Sequence, residues 1–238
     1  NEVGTIQPLG AVAEVVRAHA PDAILHTDAV QAFPWLDLRP VAEVVDVVSL
    51  SAHKFGGPQG VGALVVRPGM TIEPRQLGGG QERGLRSGTP NVGGIVAMAV
   101  AAALTDERRI SEVERIAKLR DRLVDGLVLS LDGLVETGVV DGDRRHKVAG
   151  NAHVCIEGVE AEALLFLLDE AGIAAAAACA CAAGADEPSS VLAAMGVPAE
   201  RAGGALRLSL GASTTDDDVD RVLAVLPTAV ARLRRRGS

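Results

Sequence analysis

Three short apolar runs, separated by polar and helical sequence, constrain the fold of the first half of this chain more than any other feature. The runs are Ala23 to Thr27, Val44 to Leu50 and Val61 to Val66, and each has the length of one buried strand. Ahead of the first run, apolar residues recur at helical spacing between Pro8 and Ala20. Helices that alternate with buried strands indicate an α/β layer built on a largely parallel sheet.

The second half has a different pattern of elements. The sequence is strongly helical from Gly93 to about Val128, and the predicted domain boundary near Thr105 separates residues 1–104 from residues 105–238. Beyond this helix we expect a small α+β domain. Its predicted strands are Ala152 to Ile156 and Leu206 to Leu210, and its predicted helices are Glu160 to Glu170 and Asp216 to Arg235, the latter capped by Thr214 or Thr215.

Composition excludes several classes of function. The chain has a net charge of -8, one Trp, three Phe and no Tyr, so it lacks the basic surface and aromatic platforms of a nucleic-acid-binding protein. No apolar segment reaches the ~18 residues of a membrane span, and no signal peptide is evident. We therefore expect a cytoplasmic protein without a membrane partner. The start at Asn1 without a methionine suggests a piece of a longer protein.

A lysine and an aspartate stand where two of the predicted strands end. Lys54 follows the second strand in Ser51-Ala52-His53-Lys54-Phe55-Gly56-Gly57, and Asp28 follows the first. Parallel strands would bring both side chains to one crevice. Pyridoxal 5'-phosphate (PLP) chemistry requires such a pair, a lysine that forms a Schiff base and a carboxylate that keeps the pyridine nitrogen protonated. Taken singly, Asp28 could instead cap a helix and Lys54 could be a surface residue.

Six ordered motifs extend this pattern over the whole chain. They are Asn1-Glu2-Val3-Gly4, His26-Thr27-Asp28-Ala29-Val30-Gln31, Ser51-Ala52-His53-Lys54, Gly78 to Thr89, Glu187 to Leu192, and Leu206 to Gly211. In order and spacing the sequence resembles the cysteine desulfurases of the class-V aminotransferase family. The resemblance implies an α/β fold of the PLP-dependent transferase (aspartate aminotransferase-like) type, with a partial, mainly parallel large domain and a small α+β C-terminal domain. It also implies conversion of L-cysteine to L-alanine, with sulfur passed to an acceptor protein for iron-sulfur cluster or thio-cofactor biosynthesis.

The resemblance also implies a set of cofactor ligands. Lys54 would hold PLP, Asp28 would pair with the pyridinium nitrogen, and Gln31 would bond the phenolic oxygen. Ser51 and His53 would bind the phosphate.

Three further residues complete the implied site. Thr89 would reach the phosphate of a neighbouring subunit's cofactor, which implies a homodimer with shared sites. Arg207 would bind the substrate carboxylate, to which a planar guanidinium offers two parallel hydrogen bonds. Asn1 would assist at both the cofactor and the substrate.

The three cysteines receive different interpretations. Cys181 aligns with the family's nucleophile, whose thiolate would take the sulfur as a persulfide. Cys179 is interpreted as a bystander, and Cys155, inside an apolar strand, as a buried core residue. Cys179 and Cys181 could alternatively be a metal pair or a redox couple, but a zinc site needs two further ligands that no second Cys or His pair supplies.

Some positions depart from the family pattern. Relatives carry, before the position of Asn1, a glycine-threonine loop around the phosphate and a histidine that stacks on the pyridine ring. Alanines at 175–178 and 182–183, and Ser190, replace residues that are usual in the family. We therefore expect this chain alone to bind PLP weakly and to turn over little. The rival hypotheses are a related PLP lyase or aminotransferase, such as a selenocysteine lyase, and an inactive truncated remnant that acts as an interaction module.

Overall fold

The polypeptide divides into two units, and the division does not follow the order of the sequence. The first unit is Gln7–Ile110, and the second combines Asn1–Ile6 with the residues from Ser111 onward. This computed structural model describes residues 1–177 and 189–235. The predicted domains, 1–104 and 105–238, place the first six residues differently, and their boundary stays a prediction.

The first unit contains the predicted helix and the three predicted strands. Strand β1 is shorter than its apolar run, and helix α2, which has Pro40 in its first turn, was not predicted because only six residues form it. The elements are α1 (Leu9–His19), β1 (His26–Asp28), α2 (Arg39–Val44), β2 (Val47–Ser51), a 3-10 turn (Ala52–Lys54), β3 (Gly62–Val66), a second 3-10 turn (Glu82–Gly84) and the beginning of α3 (Val92–Ser130).

The sheet of the first unit has the order β1-β2-β3. Strands β1 and β2 are parallel, with Asp28 opposite Ser49. Strand β3 is antiparallel to β2, so the sheet is mixed rather than largely parallel. The connection from Ser51 to Gly62 is too short for the crossover that a parallel return requires.

A small apolar cluster fixes the turn at the end of β2. Ala52 is fully buried, and Phe55 packs against Phe33 with the ring centroids 4.7 Å apart in an edge-to-face arrangement. Ala101 of α3 belongs to the same cluster. Gly57 lies so close that a Cβ there would stand 2.8 Å from the Ala52 methyl group. The backbone on both sides of Lys54 is therefore held by packing.

The second unit is the expected α+β domain. Its sheet has the order β4-β5-β7-β6 with all pairs antiparallel. Fully buried leucines on its helices, such as Leu164 and Leu226, form the core. The elements are the remainder of α3, β4 (Leu134–Glu136), β5 (Asn151–Ile156), α4 (Ala161–Glu170), β6 (Ala176–Ala177), α5 (Ser190–Ala194), α6 (Ala199–Ala202), β7 (Ala205–Ser209) and α7 (Asp216–Arg234).

Helix α7 begins with a complete capping box. The Thr215 side chain accepts from the Asp218 backbone N–H, and the Asp218 carboxylate accepts from the Thr215 N–H at 2.9 Å. Of the two caps that the sequence allowed, Thr215 is the one used. Thr214 instead accepts from the Gly211 N–H at 2.9 Å, within the loop that follows β7.

Residues 1–6 form a short extended segment, called the 1–6 segment below, that belongs to the second unit. The Ile6 N–H donates to the His146 carbonyl at 2.7 Å, and the Val148 N–H donates to the Gly4 carbonyl at 2.9 Å. Gly4 has a φ of 80°, and a Cβ there would stand 2.7 Å from the Asn151 side chain. This close approach requires glycine. Among the described residues, no helix has the length and apolar character needed to cross a membrane.

Candidate cofactor and substrate site

The predicted lysine and aspartate lie at the ends of neighbouring parallel strands. Asp28 is the last residue of β1, and β2 ends at Ser51, immediately before the 3-10 turn that carries Lys54. The carboxyl ends of parallel strands share one edge of the sheet. The structure therefore brings the Asp28, Ser51 and Lys54 positions to the same edge of the first unit, with the Asp28 and Lys54 side chains exposed.

Hydrogen bonds at this edge orient the side chains and leave acceptor and donor groups free. Asp28 Oδ1 accepts from the Val30 N–H at 2.9 Å, and the described residues provide no partner for its other carboxylate oxygen. Ser51 Oγ lies 2.8 Å from His53 Nδ1. Lys54 has no hydrogen-bond or ion-pair partner among the described residues. The edge thus presents an amine, a carboxylate, a hydroxyl and an imidazole.

Two other predicted cofactor residues lie in turns of the first unit. Gln31 is exposed in the turn that follows β1. Thr89 is exposed at the end of the loop of residues 76–91, where the Gly88 N–H donates to Gln81 Oε1 at 3.1 Å. No hydrogen bond joins Thr89 to Asp28 or Lys54 in the described residues, and its predicted role toward another subunit's phosphate remains a prediction.

The predicted substrate residues Arg207 and Asn1 lie on one side of the sheet in the second unit. Asn151 stands opposite Ser209, and His153 stands opposite Arg207, so these side chains project from the same face. The Asn151 amide donates to the Asn1 carbonyl at 3.4 Å and to the Glu2 carbonyl at 3.0 Å. The 1–6 segment therefore lies over the face that carries Arg207, which brings Asn1 and Arg207 to the same side of β5 and β7.

Cys155 is the buried core residue that the sequence predicts. It is fully buried and packs with Val3, Leu192 and Ala205. Burial raises the pKa of its thiol to about 11, so it stays protonated at neutral pH and is a poor nucleophile. Cys155 therefore has a structural role in the core.

The predicted nucleophile lies outside the described residues. Residues 178–188, which include Cys179 and Cys181, are among those that the structure does not describe. Within the described ranges, no group of three His, Cys, Asp or Glu side chains is arranged to hold a metal ion.

A buried polar group beside Arg207 was not predicted from the sequence. Thr137 Oγ1 lies 2.5 Å from His153 Nδ1, and the Lys147 ammonium donates to the Thr137 carbonyl at 2.6 Å. The Lys147 Nζ also lies 3.3 Å from Glu136 Oε1. The alternation of Asn151, His153 and Cys155 along a strand was the signal that could have placed His153 on the Arg207 face.

The two units together have the fold of PLP-dependent transferases of the NifS-like type. A solved NifS-like protein shares 35% sequence identity with a TM-score of 0.84, covering 97% of this chain and 59% of that one. The NifS-like protein from Rickettsia africae ESF-5 also has a TM-score of 0.84, at 27% identity over 97% of this chain and 59% of its own. The predicted PLP-dependent transferase fold is therefore confirmed, with a mixed sheet in place of the mainly parallel one.

Sequence comparison assigns the family. The aminotransferase class-V family matches residues 1–222, and the chain belongs to this PLP-dependent family. An IscS-like cysteine desulfurase from Mycobacterium tuberculosis is 46% identical over 235 residues, or 99% of this chain and 58% of the relative. A cysteine desulfurase from Gluconacetobacter diazotrophicus is 45% identical over 98% of this chain and 57% of its own length. The chain thus spans a little over half the length of these curated relatives.

Proposed function

We propose that this chain acts as a PLP-dependent cysteine desulfurase that converts L-cysteine to L-alanine and carries the sulfur on Cys181. The observation that carries the proposal is the placement of Asp28 and Lys54 at the ends of adjacent parallel strands. The names of the relatives, which are cysteine desulfurases, support the choice of reaction.

The groups at this sheet edge fit PLP. The amine of Lys54 matches the aldehyde, and the carboxylate of Asp28, which keeps one oxygen free of described partners, matches the pyridinium nitrogen. Ser51 and His53 offer hydrogen bonds to a phosphate, and Gln31 offers one to the phenolic oxygen. When bound, PLP supplies an electron sink for bond cleavage next to the amino acid's Cα. In this assignment Lys54 holds the cofactor and also moves protons at Cα.

The second unit would supply the substrate-binding groups. Arg207 would bind the carboxylate of L-cysteine through two parallel hydrogen bonds, because its guanidinium has no partner among the described residues. Asn1, placed over the same face by Asn151, would assist it. These groups orient the amino acid and take no part in bond cleavage.

Cys181 would complete the reaction as the sulfur acceptor. Its thiolate attacks the sulfur of the substrate, so that an S–S bond forms at Cys181 while the Cβ–S bond of L-cysteine breaks. Cβ takes up a proton, and L-alanine leaves. The persulfide then passes to an acceptor protein for iron-sulfur cluster or thio-cofactor biosynthesis. We also propose a cytoplasmic location and a homodimer in which Thr89 completes the partner's phosphate site.

Three measurements on the purified chain with added PLP and L-cysteine test the proposal. At high PLP concentration we expect visible absorbance from bound PLP, a borohydride-fixed adduct that peptide mapping places on Lys54, and slow release of alanine and sulfide in the presence of a thiol. Cys181→Ala should abolish sulfide release and preserve the PLP adduct. Cys179→Ala, the matched control, should retain sulfide release.

The outcomes separate the alternatives. An adduct at a lysine other than Lys54 would contradict the cofactor assignment. Sulfide release that survives Cys181→Ala would contradict the persulfide step and favour a lyase that needs no cysteine.

A further inference from the structure

The face of the sheet that carries Arg207 also holds a fully buried histidine. His153 on β5 has no solvent exposure and stands directly opposite Arg207 on β7. Side chains of directly opposed residues in an antiparallel pair have Cβ atoms about 5 Å apart on the same face. His153 and Arg207 therefore leave the sheet side by side, and Arg207 is, after burial and Lys147, among the causes that lower the pKa of His153.

One ring nitrogen of His153 is fixed by hydrogen bonding. Nδ1 lies 2.5 Å from Thr137 Oγ1. The Thr137 N–H donates to the His153 carbonyl at 3.0 Å, and Lys147 holds the Thr137 carbonyl at 2.6 Å. These contacts set the orientation of the imidazole ring.

The described residues provide no hydrogen-bond partner for the other ring nitrogen. His153 Nε2 and Asn151 Oδ1 are buried without a hydrogen bond in the described part of the chain. Arg207, with five N–H donors, also forms no hydrogen bond or ion pair there. A buried polar atom without a partner is costly, so an acceptor and a donor group on one face are expected to pair.

The surrounding charges favour a tautomer whose Nε2 is an acceptor. Burial first, and then the positive charges of Lys147 and Arg207, lower the pKa of His153 to about 4, so the ring is neutral at neutral pH. A proton on Nε2 would be buried without an acceptor among the described residues. A proton on Nδ1 instead donates to Thr137 Oγ1, and the Thr137 hydroxyl can then donate to the His153 carbonyl at 3.4 Å.

We propose that His153 is a positioning residue for Arg207, with Nε2 accepting one guanidinium N–H and fixing the plane in which Arg207 binds a carboxylate. A neutral acceptor holds the guanidinium without neutralising its charge, which an Asp or Glu at this position would do. The identity of the bound carboxylate as that of L-cysteine rests on the function proposed above. The pairing of His153 with Arg207 does not.

The tautomer is tested first, without cofactor or substrate. Two-bond ¹⁵N–¹H correlation spectra of the labelled chain should show His153 Nδ1 protonated and Nε2 unprotonated at pH 7. Arg207→Ala should shift the Nε2 resonance, because its donor is lost. A protonated Nε2, or an Nε2 resonance unchanged in Arg207→Ala, would overturn the proposal.

Ligand binding then tests the positioning role with two matched variants. In His153→Gln the side-chain amide stands at the position of Nε2. In His153→Asn the shorter amide stands at the position of Nδ1, which faces Thr137, and the Nε2 position is left without an acceptor. Binding of L-alanine and of ethylamine, which lacks the carboxylate, is followed through the absorbance of bound PLP. We expect His153→Asn to weaken L-alanine binding roughly tenfold, the size of a lost hydrogen bond to a charged group. His153→Gln should restore most of the affinity, and ethylamine binding should change little.

The arms distinguish the possible failures. Equal losses for L-alanine and ethylamine would mean that His153 is only structural, and would overturn the proposal. In an Arg207→Ala background His153→Asn should cause no further loss, since the two residues act on the same carboxylate. If the chain binds no PLP, the function proposed above fails, and the tautomer measurement still decides the pairing.

Discussion

The buried imidazole of His153 gives the stability of the protein a specific dependence on pH. Burial, and then the charges of Lys147 and Arg207, lower its pKa from an ordinary value of 6.5 to about 4 in the folded chain. Between these values the unfolded state binds the proton and the folded state does not, so stability falls as pH drops from 6.5 to about 4. The loss is on the order of 3 kcal/mol.

Urea unfolding at a series of pH values, without PLP, measures this effect. His153→Gln should remove most of the dependence of the unfolding free energy on pH between 6.5 and about 4. Hydrogen bonds from arginines lower the pKa values of Asp46 and Asp143 from 3.8, so these two carboxylates titrate below that window. An unchanged slope in His153→Gln would mean that another group is responsible.

Sequence reasoning found the exposed reactive residues and missed the buried polar ones. Lys54 and Asp28 could be predicted because each is a charged, reactive residue that follows a buried apolar run. His153, Thr137 and Lys147 act through contacts between distant parts of the chain, which no local pattern reveals. Cys155 was predicted correctly because burial follows directly from its apolar neighbours.

The capping box of α7 makes a prediction at the level of one element. Thr215→Ala removes the side-chain acceptor of the Asp218 N–H and should lower the free energy of unfolding by about 1 kcal/mol. Thr215→Ser should retain most of the stability, because a serine hydroxyl can accept the same hydrogen bond. Thr228, exposed within the same helix, is the matched control, and Thr228→Ala should have little effect or stabilise slightly. Equal losses at both positions in urea unfolding would contradict the capping role.

Long periodic elements were predicted well, whereas sheet pairing was predicted for β1 and β2, which are parallel, and not for β3. Helix α3 was predicted from Gly93 to about Val128 and runs over Val92–Ser130, because helical periodicity extends through the whole segment. Strand β3 was predicted in position, but its antiparallel pairing depends on the length of a connection, not on the strand's own residues. Strand β6 has two residues and helix α2 has six, which are too few positions to show a strand or helix period.

At the scale of the whole molecule, the length of the chain relative to its relatives bears on cofactor affinity. The phosphate ligands proposed for the first unit are the Ser51 and His53 side chains, which lie 2.8 Å apart. The family resemblance implies further phosphate contacts that lie before the position of Asn1 in relatives. We expect this 238-residue polypeptide to bind PLP at least about tenfold more weakly than a full-length relative, the loss of one or more charge-assisted hydrogen bonds.

Equilibrium dialysis of both proteins against PLP under identical conditions measures the difference. A Lys54→Ala variant corrects for non-specific binding. Equal affinities would show that the side chains at the β1 and β2 ends suffice.

The 1–6 segment has a consequence for the order in which the protein folds during synthesis. Its partner Asn151 lies 150 positions after Asn1, whereas the first unit is contiguous from Gln7 to Ile110. On the ribosome the first unit can close as soon as it emerges. The 1–6 segment must wait, unpaired, for β5, which at ~5–20 residues per second is a delay on the order of ten seconds. Residues 1–6 are therefore synthesised well before the residues of the second unit that they contact.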